Sequence, residues 1–116
     1  MSEAMDYSKQ TRPRLVIVAY KPFPGKEEAL LALTREHVPL LRGEGLATDW
    51  PVTACRAADG TIVEVFEWAA GAMGRAHTNP VVMDLWARYA EVCEYLPLNQ
   101  LPESAEMFAG FDPVAL

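Results

Sequence analysis

Histidine and cysteine are scarce in this chain, with two of each in 116 residues. None of the four stands at metal-ligand spacing, so no metal site is expected. Cys55 and Cys93 are far apart, and they are expected as reduced core residues rather than as a bridge, which fits a cytoplasmic protein. Positive charge is also in short supply: ten Lys and Arg face sixteen Asp and Glu, for a net charge of −6. The basic residues are scattered, whereas a nucleic-acid surface needs them clustered, so no nucleic-acid partner is expected. No apolar run approaches the roughly 20 residues of a membrane helix, and no membrane partner is expected. No glycine-rich loop follows a strand to cradle phosphate, and no dinucleotide or flavin fingerprint is present. A nucleophile elbow and a Ser/His/Asp set are missing too. The expected cofactor list is therefore empty.

What remains is the composition of a globular chain, 51% hydrophobic and 22% charged. The start, "MSEAMDYSKQTRPR", has no apolar core of its own. It predicts a flexible arm over residues 1–13, without a secretory leader, before a single domain over 14–116. "RLVIVAY" from Arg14 to Tyr20 reads as a buried strand. "KPFPG" turns the chain into a helix with Glu27 and Glu28 in its first turn, where the helix dipole favours acids. Leu30, Leu33, His37 and Leu41 share its apolar stripe. Pro39 should kink this helix or tighten its last turn, and Gly43 and Gly45 should end it.

Ala47 to Ala57 predicts a strand weakened by Pro51, "ADG" a hairpin turn, and "TIVEVFEW" the clearest strand in the chain. Asn79 and Pro80 should cap and open a second helix. Its stripe would carry Val82, Leu85, Trp86, Tyr89, Cys93 and Leu96, with Pro97 as the stop. "AEMFAGFDPV" looks like a last short strand.

That order, β-α-β-β-α-β, is the ferredoxin-like α+β arrangement: a four-stranded antiparallel sheet with two helices on one face. Its first and third strands are apolar on both faces, while the helices can cover only one. A second copy of the sheet is the simplest cover for the other, so the chain is expected to partner itself as a homodimer.

"KPFPGKEEALLALTREHVPLLR", the strand ending "EVFEW" and "AHTNPVVMDLW" together resemble the dimeric α/β-barrel superfamily, most closely its antibiotic biosynthesis monooxygenase-type branch. The resemblance covers most of Leu15 to Tyr89. It implies sheets paired in a homodimeric barrel and a small-molecule enzyme. The chemistry implied is that of cofactor-independent monooxygenases on aromatic or polyketide-like substrates, or an isomerase-like activity. The superfamily also includes haem-degrading enzymes, with an Asn on the first strand. Trp68 and His77 occupy comparable places to two of their site residues, but "RLVIVAYK" has no Asn. The tail after Tyr95, "YLPLNQLPESAEMF", is longer than that branch implies. The alternative is a non-catalytic homodimer that binds a small ligand or serves assembly.

His37, on an apolar helix face, is the first candidate for chemistry: a general base or donor facing a small aromatic ligand. The plainer alternative is a core histidine satisfied by a backbone carbonyl. His77 is either a second catalytic group at the pocket mouth or polar packing before the Asn79 cap. Phe66 and Trp68 share a strand face, and Trp86 and Tyr89 share a helix stripe. Together they would line a slot for a planar aromatic ligand, or else form plain core. Glu64 shares the face of Phe66 and Trp68, so it must be paired, hydrated or protonated. It is read as a functional acid or, in preference, as the partner of an Arg from the other subunit, with Arg56 a candidate through the hairpin. Tyr20 and Trp50 are given no chemistry.

Overall fold

The computed structural model describes residues 11–116. The first ten residues of the expected arm lie outside them. The described residues form an α+β unit: one five-stranded antiparallel sheet and three α-helices. The chain runs β1 (Arg14–Pro22), α1 (Glu27–Gly43), β2 (Thr53–Arg56), β3 (Ile62–Trp68), α2 (Ala72–Ala76), α3 (Pro80–Ala90), β4 (Cys93–Leu96) and β5 (Asp112–Val114). Two short 3-10 turns, Leu98–Gln100 and Pro102–Ala105, lie between the last two strands. The strand order is β4-β1-β3-β2-β5. The four-strand, two-helix outline is therefore short by one strand and one helix.

The register of β1 against β3 decides which side chains meet. Val16 lies opposite Phe66, Val18 opposite Glu64 and Tyr20 opposite Ile62. Side chains alternate along a strand, so these six share one face. That is the helix face, because α1 packs its buried stripe of Leu30, Leu33, His37 and Leu41 there. Helix α1 continues through Pro39 to Gly43. It ends in a Schellman arrangement, with Gly45 N–H donating to Arg42 C=O at 3.0 Å and Leu46 N–H to Leu41 C=O at 2.8 Å. Gly45 supplies the left-handed backbone, φ 73°, that this closure requires.

Helix α3 starts as its cap predicts: the Asn79 side chain accepts from Val81 and Val82 N–H, at 2.9 and 3.1 Å. It stops earlier than its stripe implies. Cys93 and Leu96 leave the helix and form β4, which pairs with Ala19–Pro22 of β1. The spacing Tyr89, Cys93, Leu96 fits a helix, and sheet pairing outweighs it. Pro97 therefore ends a strand instead of a helix. The expected strand over Ala47–Ala57 shrinks to Thr53–Arg56 plus one isolated bridge between Ala47 and Trp68, with Pro51 in the break. Of "AEMFAGFDPV" only Asp112–Val114 is strand, paired with the outer edge of β2. Pro113 is tolerated on that edge strand.

The far face of the sheet is partly covered by the chain itself. Leu101, with Leu96 and Phe111 beside it, packs on Ala19, Ala57 and Val63. Leu15 and Ile17, on the same face, stay 52% and 50% exposed. Among the described residues, no helix is long and apolar enough to cross a membrane.

Candidate active-site cavity

Strand β4 is short, and it pairs with β1 only from Ala19 onward. Among the described residues the edge of Arg14–Val18 has no strand on that side. A cavity of about 270 Å³ opens beside this stretch. Val16, Val18 and Tyr20 of β1 and Phe66 and Trp68 of β3 form its floor, with Ile17 at the open strand edge; His37 of α1, Met73 of α2, Trp86 of α3 and Tyr95 of β4 complete the lining. Among the described residues, no Lys or Arg lines it. Such a wall suits an uncharged, flat, apolar ligand, since an anion would meet no compensating cation.

Beside the phenols of Tyr20 and Tyr95, the wall holds His37, only 3% exposed. Its Nδ1 lies 2.8 Å from Glu64 Oε1. Its ring sits edge-on between Phe66 (centroids 5.2 Å apart, 80°) and Tyr89 (5.5 Å, 73°). Its second nitrogen, Nε2, is buried and has no hydrogen-bond partner among the described residues. The partner of His37 is thus a side-chain carboxylate, not the backbone carbonyl of the plainer alternative.

Glu64 is fully buried. Arg56, the candidate partner from the hairpin, lies elsewhere: its guanidinium donates to Glu27 at 2.8 Å. The reason is register. Glu64 faces Ala54 across the hairpin, while Arg56 faces Ile62 at the end nearer the start of α1. Glu64 is held instead by His37 and by the Tyr20 hydroxyl, which donates to Oε1 at 2.7 Å. Both contacts fall on one oxygen, and Oε2 has no partner among the described residues. Burial, and then the neighbouring Glu64 charge, hold the Tyr20 phenol well above its ordinary range. Tyr20 is therefore a proton donor at any physiological pH.

Tyr89 stands behind the wall. It is fully buried, stacks on Tyr20 with centroids 4.9 Å apart, and donates to Thr34 Oγ1 at 3.3 Å. His77 is exposed and also outside the lining. Its Nδ1 meets Met73 C=O at 2.7 Å, and its ring lies edge-on to Trp86 at 5.2 Å. Four of the six site residues expected from the sequence, His37, Phe66, Trp68 and Trp86, thus share the cavity, with Tyr89 buried behind it and His77 exposed against Trp86.

Sequence reasoning passed over Tyr20, Met73 and Tyr95. The parity of Tyr20 with Glu64 becomes visible only once the β1–β3 register is known. Met73 sits on α2, inside what the sequence presents as a plain connection. Neither thiol offers a nucleophile. Burial raises Cys93 to about 11, and Cys55 is raised for the same reason. Among the described residues no three of His, Cys, Asp and Glu group to hold a metal ion. No protein-family model matches the chain, and no curated protein matches it.

Proposed function

We propose that this chain is a small-molecule enzyme that takes a compact aromatic substrate into the cavity, with His37 as its proton acceptor. One observation carries this reading: a buried, carboxylate-backed imidazole whose other nitrogen has no partner among the described residues, in the wall of an aromatic cavity. An imidazole braced in this way can take a proton from an acidic O–H or C–H of a bound ligand. The resemblance to cofactor-independent monooxygenases supplies the next step, in which the substrate's own electrons reduce oxygen. The test is oxygen uptake with two-ring hydroquinones, compared between the wild type and His37→Gln. Gln keeps a donor for Glu64 and removes the base.

The ferredoxin-like reading draws support from the order β4-β1-β3-β2, to which β5 and α2 are additions. The half-exposed Leu15 and Ile17 support a homodimer through the far face of the sheet. A cytoplasmic location agrees with two unbridged cysteines.

A further inference from the structure

Tyr20 lies in the cavity floor and holds Glu64. We infer that Tyr20 is a positioning residue that sets the tautomer of His37. By donating to the Glu64 oxygen that also meets His37 Nδ1, it obliges that oxygen to act as an acceptor. This inference rests on the reading of His37 as the proton acceptor of the cavity.

The geometry is specific. Tyr20 Oη lies 2.7 Å from Glu64 Oε1, and His37 Nδ1 lies 2.8 Å from the same atom. The phenol has one proton to give, and burial keeps that proton in place. An atom that accepts from Tyr20 is best served by a second donor at His37. The proton of the imidazole then sits on Nδ1, and Nε2 keeps its lone pair. In the opposite tautomer Nε2–H would be a buried donor, and the ring could no longer accept a proton from a ligand. Tyr20 thus acts on the cavity through Glu64, without needing to touch the reacting atoms.

The consequence is clearest where residue 64 has a choice. In Glu64→Gln the side chain can offer His37 either its oxygen or its NH2 group. With Tyr20 present, the NH2 choice takes from the buried Tyr20 O–H its acceptor at 2.7 Å, so the oxygen should stay in the shared position. With Tyr20→Phe added, that restraint is gone. The amide can then turn its NH2 group to Nδ1, which drives the ring proton to Nε2.

Two-bond 1H–15N spectra of the full chain, 15N-labelled at histidine and free of ligand, report the tautomer directly. The wild type and Glu64→Gln should both show the Nδ1–H pattern. Tyr20→Phe/Glu64→Gln should show a new Nε2–H population. A Glu64→Gln single variant already in the Nε2–H form would overturn the role given to Tyr20, even if the double variant does not fold. A folded double variant that stays Nδ1–H would overturn it as well. Should the wild type itself be Nε2–H, the reading of His37 as a base fails instead, so the two failures are told apart.

Discussion

Tyr20 and Tyr89 stack on each other beneath the cavity, and their phenols have in common that burial, with Glu64 nearby, keeps their protons on. Both folded-state values stand above the ordinary 10.0. At high pH the unfolded chain therefore loses tyrosine protons that the folded chain retains. The folded state then binds more protons, and stability falls as pH rises. This contribution is fully present below about pH 10, where tyrosine in the unfolded chain is still neutral, and it is lost progressively above that. Urea midpoints taken from about pH 9 to about pH 11 should therefore drop, with a shallower slope in Tyr89→Phe. A flat profile would mean that these phenols are not sequestered. Glu64 belongs to the same cluster, and its apolar setting was legible in the sequence. Its partners were not, because pairing Glu64 with Tyr20 and His37 depends on a register and a helix rotation that no local pattern encodes.

Among the elements, those with strong local signals were read well and those made by pairing were not. Helix α1 shows its stripe, its acidic first turn and its glycine stop. Helix α3 shows its cap. Replacing Asn79 by Ala should cost about 0.5–2 kcal/mol, and by Gly only a few tenths, because Gly suits the backbone of a cap. Thermal or urea unfolding of the two variants checks this, and equal losses would deny the cap its role. The local pattern does not reveal strand β4, because Tyr89, Cys93 and Leu96 satisfy a helical period equally well. What makes Cys93–Leu96 a strand is β1, more than seventy residues back in the chain. Helix α2 is only five residues long, Ala72–Ala76 after the Gly71 cap, so it offers too short a window for any periodicity. The cavity depends on both of these elements. Tyr95 comes from β4 and Met73 from α2, which is why the cavity's outline was half visible beforehand.

At the scale of the whole molecule, the alternation of β1 and β3 asks for a cover on the far face of the sheet. The chain's own C-terminal segment meets that demand at Ala19 and Val63 and leaves Leu15 and Ile17 open. The homodimer proposed for this face should run in sedimentation at twice the chain mass. Leu15→Lys should shift it toward the monomer without unfolding it, since the side chain is already half in water. A wild type that is monomeric at high concentration would remove the dimer from the account.

The central claim is that His37 takes a proton from an aromatic ligand in the cavity. Oxygen uptake with a panel of two-ring hydroquinones tests it most directly, run on the wild type and on His37→Gln under identical conditions. The account expects uptake by the wild type that falls about 10²–10⁴-fold in the variant, the usual worth of a general base, while both proteins melt cooperatively. Equal rates in the two proteins, or no wild-type uptake above the protein-free background across the panel, would contradict it.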